Sequence, residues 1–225
     1  MIERIEIATE GGPAAAELLL PDGDAKVPGI IVVHEWWGIN DDIRRLAGRF
    51  AEVGIAALAV DLYAGRSTTD PAEAYKLSDE MRTPRSLEIM AGALKLLKSH
   101  PRSNGKVAVT GFCLGGAMAL VAACNLPDLA ASVPFYGLGK DAYLNGFRSS
   151  VPILGHFAKN DTFISLDRAR TISAAVNGSG GSFELCEYDA GHAFMREADP
   201  AAYHAESAAL AWERTTAFLK KHLST

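Results

Sequence analysis

The run Gly-Ile-Ile-Val-Val-His, residues 29 to 34, is apolar without alternation and is rich in β-branched side chains. A strand with one wet face alternates polar and apolar residues. A strand that does not alternate is expected to be buried on both faces, the situation of a parallel sheet covered by helices. A second such run spans Ala56 to Val60, and a third, Lys106 to Thr110, leads into a glycine-rich segment. Between the first two, Asp41 or Asp42 is placed to cap a helix that runs through Val53 and stops at Gly54. Asp70-Pro71 opens a helix near Ala72 to Met81, and Pro84 opens another reaching about His100. Leu114 to Ala123 reads as an alanine-rich helix suited to close packing. Further strands are expected at Ala131 to Tyr136, Val151 to Phe157 and Phe183 to Tyr188. A helix capped by Ser165 or Asp167 extends to about Val176, and an amphipathic helix covers Tyr203 to His222. Ile2 to Ala8 and Ala16 to Leu20 form a hairpin-like pair joined through Gly11, Gly12 and Pro13. Strands alternating with helices define an α/β fold. The sheet is mostly parallel, with helices on both faces and its active site at the carboxyl ends of the strands.

With 225 residues and 48% apolar content the chain can bury one substantial core, and no stretch reads as a linker, so one domain is expected over 1–225. Three cysteines without paired spacing, and an opening segment that mixes charged and apolar residues, fit a cytoplasmic protein with reduced thiols. No run approaches the roughly 18 apolar residues of a membrane span. A net charge of −5 argues against nucleic acid, which binds through clustered Lys and Arg. The six histidines show no compact spacing with cysteine or acid, so neither a metal nor another cofactor is expected. The expected partner is a small molecule. The chain is read as a monomer, with a homodimer left open.

Cys113 lies in Gly-Phe-Cys-Leu-Gly-Gly, residues 111 to 116, directly after the Val107 to Thr110 run. Glycines two before and two after a nucleophile let the chain turn sharply from strand to helix and leave the central side chain exposed. The start of a helix also favours the thiolate, the form that attacks carbonyls. Free cysteine is equally common as a small buried hydrophobe, and Cys124, late in an apolar helix, and Cys186, inside a strand, read that way. Cys113 is set apart by the order of two later residues. Asp161 comes just after the Val151 to Phe157 strand, and His192 just after the Phe183 to Tyr188 strand. Nucleophile, acid, histidine is the chain order of α/β-hydrolases. Taken singly, Asp161 reads as a turn or cap residue and His192 as a loop histidine; the three placements together point to a catalytic triad. Asp167 and Asp189 are the fallback acids.

Glu35 follows the buried Ile30 to His34 run at the same end of the sheet. The commoner reading of a loop glutamate is a solvated one, yet a carboxylate here faces the site. The same loop supplies an oxyanion-hole amide in this type of fold, which assigns the backbone N–H groups of Trp36 and Leu114. Arg196, four residues past His192, suits a substrate carboxylate, although a lone arginine is at least as often a surface residue.

Together these residues resemble the dienelactone hydrolase, or carboxymethylenebutenolidase, family. The likeness runs through His-Glu-Trp-Trp-Gly-Ile-Asn (34 to 40), Asp-Leu-Tyr-Ala (61 to 64), Ser-Asn-Gly-Lys-Val (103 to 107), Gly-Phe-Cys-Leu-Gly-Gly-Ala (111 to 117) and Tyr-Asp-Ala-Gly-His-Ala-Phe (188 to 194). The resemblance implies an α/β-hydrolase fold, the triad Cys113, Asp161 and His192, a carboxylate-binding Arg196 and a functional Glu35. In that family the glutamate interacts with the resting thiol and helps form the thiolate when substrate binds. Members of the chloroaromatic pathway carry a second substrate-binding arginine shortly before an Ala-Tyr-Lys-Leu segment. Here Ala74-Tyr75-Lys76-Leu77 follows Asp70-Pro71-Ala72-Glu73, so only Arg66, Arg82 or Arg85 is available as a substitute.

A thiolate is a better leaving group than an alkoxide, so the tetrahedral intermediate of a simple alkyl ester collapses back, and acyl transfer is favoured only from activated substrates that expel a stabilised enolate, phenolate or thiolate. The expected activity is therefore hydrolysis of an enol lactone, aryl ester or thioester through a thioester acyl-enzyme. A redox-sensing thiol protein, or a binding module on a hydrolase scaffold, is the alternative.

Overall fold

The computed structural model describes residues 2–224. Eight strands form one sheet in the order β1-β2-β4-β3-β5-β6-β7-β8. β1 (Ile2–Ile7) and β2 (Ala14–Leu19) pair antiparallel, and β2 joins β4 (Ala56–Val60) antiparallel as well. From β4 onward, through β3 (Val27–Val33), β5 (Ser103–Phe112), β6 (Ala131–Phe135), β7 (Ile153–Ala158) and β8 (Phe183–Tyr188), every pairing is parallel.

Two helical layers cover the sheet, and the unbroken apolar pattern of β3 shows why both are needed. Ile31 and Val33 enter a core with Met90, Ala93 and Leu97 of α3 (Thr83–Ser99) and with α4 (Leu114–Asn125) and α5 (Leu166–Gly178). Ile30 and Val32 point the other way, into a core with Ile43, Leu46 and Phe50 of α1 (Asp41–Glu52) and Ala211 and Leu219 of α6 (Ala205–Leu223). Successive strand residues face opposite sides, so each face needs its own apolar supply. The remaining helix, α2 (Pro71–Glu80), is capped by Asp70, whose carboxylate accepts from the backbone N–H groups of Ala72 and Glu73.

Two local expectations need correction. The cap of α1 is Asn40, whose side chain accepts from the Ile43 N–H, while Asp41 and Asp42 occupy the first turn. Burial of Ile43 and Leu46 sets the phase of that helix, and this phase leaves Asn40 as the last extended residue. β5 starts at Ser103 rather than Lys106, because Val27 pairs with Ser103 before a register shift brings Gly29 opposite Val107.

Candidate active site

Four chain segments leave the carboxyl edge of the sheet side by side. Cys113 follows β5 at once, with φ 53° and ψ −112°, a conformation that L residues rarely adopt. Two positions around it have room only for glycine. A Cβ on Gly111 would lie 2.1 Å from the Gly115 carbonyl oxygen, and one on Gly115 would lie 2.2 Å from that of Val33. Helix α4 thus starts in backbone contact with β3 and β5. Leu114, its first residue, is among the four whose amides no helical turn satisfies.

The sulfur of Cys113 lies 3.1 Å from His192 Nε2, and His192 Nδ1 lies 2.7 Å from Asp161 Oδ2. Asp161 is fixed by its other oxygen, which accepts from the Phe163 and Ile164 N–H groups at 2.8 and 2.9 Å. Burial pushes the Asp161 carboxyl up, but the hydrogen bonds from His192 and these amides outweigh it and hold it below its ordinary value. Burial likewise opposes charge on His192, and the bonds to Asp161 and Cys113 override it, raising the imidazole to about 10. The arrangement favours an imidazolium beside the sulfur. Asp189 instead accepts from Asn160, and Asp167 pairs with Arg170 in the first turn of α5. Neither fallback acid is the one bonded to His192.

Glu35, 4% exposed, sits two residues beyond β3. His34 holds the turn before it. Completely buried and kept neutral chiefly by that burial, the His34 ring donates from Nδ1 to the Glu35 carbonyl oxygen at 2.5 Å and accepts at Nε2 from the Leu62 N–H at 3.1 Å. Burial raises the Glu35 carboxyl to about 7, with Asp42 and Asp199 adding to it and Arg196 and His192 opposing. The sulfur therefore rests on His192, while the ion-pair partner of Glu35 is Arg196, at 3.8 Å. This differs from the resting glutamate–thiol contact that the resemblance implies. An imidazole held by a carboxylate is the stronger partner for the sulfur.

Arg196 lies over the Trp37 ring at 4.7 Å, with Asp42 at 3.8 Å and Asp199 at 3.6 Å. Its Nε has no hydrogen-bond partner. The possible second arginines are engaged elsewhere: Arg66 pairs with Glu80, Arg82 donates to the Asp79 carbonyl, and Arg85 binds Glu88 and the Gly12 carbonyl. Trp36, half-buried, follows Glu35 on the same turn, with its ring 4.8 Å from that of Trp37.

Several residues were not singled out by sequence reasoning. Phe163, 77% exposed, stands 5.1 Å from the His192 ring and forms an open wall beside it. Tyr136, just past β6 with φ 34°, packs edge-on to His192 at 5.2 Å, and burial holds its phenol well above the ordinary tyrosine range. Tyr63 is fully enclosed at the β4 end. Its position after a strand matched that of the triad residues, but an aromatic there reads as core. Among the described residues no cluster of His, Cys, Asp and Glu could hold a metal ion.

A mostly parallel sheet with helices on both faces, and a strained cysteine elbow facing a histidine–aspartate pair, defines an α/β-hydrolase-fold protein. The crystal structure of a Klebsiella pneumoniae protein provisionally assigned as a dienelactone hydrolase superimposes with a TM-score of 0.89 at 26% identity, covering 98% of each chain. A Pyrococcus furiosus esterase, 17% identical, shares the fold with a TM-score of 0.73, covering 100% of this chain and 94% of its own. The model of the dienelactone hydrolase family matches residues 14–223, and the chain belongs to that family. It is 32% identical to a carboxymethylenebutenolidase of Pseudomonas putida, over 97% of this chain and 96% of the relative. It is also 36% identical to the protein usf of Aquifex pyrophilus, over 88% and 89%. The chain is thus an enzyme, a hydrolase of the class that opens lactone or ester bonds.

Proposed function

We propose that this chain is a cysteine-dependent hydrolase that opens activated lactones or esters, enol lactones foremost, through a thioester acyl-enzyme. The observation that carries this reading is the single imidazole of His192 bonded on one side to the Cys113 sulfur and on the other to Asp161. His192 takes the thiol proton, and the thiolate attacks the carbonyl carbon. The resulting oxyanion is received by the backbone N–H groups of Trp36 and Leu114. Collapse expels the enolate or phenolate, which takes its proton from His192. A water molecule, deprotonated by the now neutral His192, attacks the thioester; the thiolate leaves and the acid product is released.

Glu35, with a carboxyl near 7, is suited to exchange a proton close to neutrality and serves thiolate formation. Arg196 receives a substrate carboxylate, its unpartnered Nε turned toward the Glu35 carboxylate. The enzyme works without a cofactor, as a single chain, in the cytoplasm, a setting that three free thiols fit. Redox sensing is the weaker reading, since Cys124 and Cys186 are both buried and burial keeps them protonated, Cys124 up to about 11.

The test is turnover of cis- and trans-dienelactone beside aryl esters and thioesters, with Cys113→Ala as comparison. The variant is expected to fold and to lose turnover of every substrate. Retained turnover would refute the mechanism, and failure on dienelactone alone would move only the substrate.

A further inference from the structure

Among the described residues, two buried side-chain polar atoms have no hydrogen-bond partner: Arg196 Nε and the Tyr63 hydroxyl. Buried polar groups are almost always paired, so an orphan calls for a reason. Arg196 belongs to the site already described. Tyr63 does not yet, although its chain segment is built with care. Asp61 accepts from the Tyr63 N–H at 2.7 Å and from the Gly65 N–H, and the Tyr63 carbonyl accepts from Arg66 Nε at 3.2 Å. The ring lies 4.7 Å from that of His34, the residue that fixes the Glu35 turn. Only 2% of Tyr63 is exposed, so water does not satisfy its hydroxyl.

The sheet order explains where the phenol goes. β4, β3 and β5 are neighbours, so the Tyr63, Glu35 and Cys113 segments leave the sheet next to one another. Burial, with Cys113 adding to it and Arg66 opposing, holds the Tyr63 phenol above the ordinary tyrosine range, which keeps it a donor. Tyr136 makes the contrast, because its oxygen is not among the buried atoms left without a partner. His192, from the β8 segment, contacts the sulfur, and Tyr136 after β6 and Tyr63 after β4 lie within its electrostatic range; Glu35 acts on His192, Arg196 and Tyr136. Of these, only the Tyr63 hydroxyl is without a partner.

We infer that Tyr63 is a positioning residue for the nucleophile: its hydroxyl donates to the Cys113 sulfur when that sulfur is ionised and turned off His192 about χ1. The phenol stabilises the thiolate by a charge-assisted hydrogen bond, while His192 remains the group that moves the proton. The inference deepens the reading of Cys113 as the nucleophile and rests on it.

The experiment is alkylation of the native protein by iodoacetamide across pH, comparing the parent with Tyr63→Phe. The reagent reads the thiolate directly and needs no substrate, so the result stands whether or not any ester is turned over. In Tyr63→Phe the Cys113 rate is expected to fall roughly tenfold near neutral pH, a loss of ~1.4 kcal/mol, and to match the parent in strong alkali where both sulfurs are ionised. The melting temperature of Tyr63→Phe should equal or exceed that of the parent, since the change removes an unpartnered hydroxyl at constant shape. An unchanged alkylation profile would overturn the inference, including the case in which turnover alone falls and the phenol serves the substrate instead. So would a marked drop in melting temperature, which would give the hydroxyl a structural partner.

Discussion

At the scale of single residues, the site is a set of charges whose environments pull in different directions. Burial keeps Glu35 protonated up to about 7, against an ordinary value of 4.5, whereas Asp161, its side chain equally enclosed, stays ionised because three donors converge on it. The difference is one of partners rather than depth. For Glu35 the sign of the linkage is plain. Its folded value is raised, so below 4.5 it costs nothing, and as pH climbs through 7 folding loses up to ~3 kcal/mol relative to a chain with no carboxyl there. Glu35→Gln should therefore match the parent in stability near pH 4 and exceed it by about that amount near pH 8. Urea denaturation at the two pH values is the check, and equal differences at both would contradict the assignment. Cys113, Asp161 and His192 were legible in the chain because each follows a strand end and two are flanked by glycine. The neighbours of Arg196 and the orphan hydroxyl of Tyr63 were not, since both depend on loops that only the folded sheet brings together.

At the scale of elements, helix α4 and its elbow leave no clearance. The Gly115 Cα faces the carbonyl oxygens of Val33 and His34, and Gly137 is as tightly set, where a Cβ would approach the Cys113 carbonyl to 2.1 Å. Gly115→Ala must push α4 away from β3, because backbone rather than a flexible side chain stands in the way. We expect a loss of ~3 kcal/mol in denaturation and an accompanying fall in esterase turnover as Cys113 shifts. Gly48→Ala, whose added methyl meets nothing in α1, is the control and should be neutral or mildly stabilising. The strand Phe183–Tyr188 was readable to the residue, since the glycine-rich turn Gly178 to Gly181 precedes it and Asp189-Ala190-Gly191 closes it. The start of β5 was not: Asn104-Gly105 has the composition of a turn, and only the register shift against Val27 shows that pairing begins earlier.

For the molecule as a whole, two apolar layers and a covered sheet leave the three thiols in very different settings. Cys124 and Cys186 are each only 6% exposed, while Cys113 is partly open. Labelling of the native protein with a disulfide reagent should count one fast thiol, lost in Cys113→Ala, with the other two appearing only in denaturant. Two fast thiols would mean that the helical layers open far more readily than their packing implies. The doubly covered sheet itself was visible in the unbroken apolar runs. The division of β3 between two separate cores was not, because strand periodicity says which residues share a side but not which helix waits there.

The last turn of α6 closes against the opposite rim of the sheet, where Asn104 Nδ2 donates to the Leu223 carbonyl at 3.1 Å. Ten residues of β5 separate that rim from Cys113, a distance of about 30 Å. Immobilised on a support through the exposed amines of Lys220 and Lys221, the catalyst would stand with its working mouth directed outward into the passing solution.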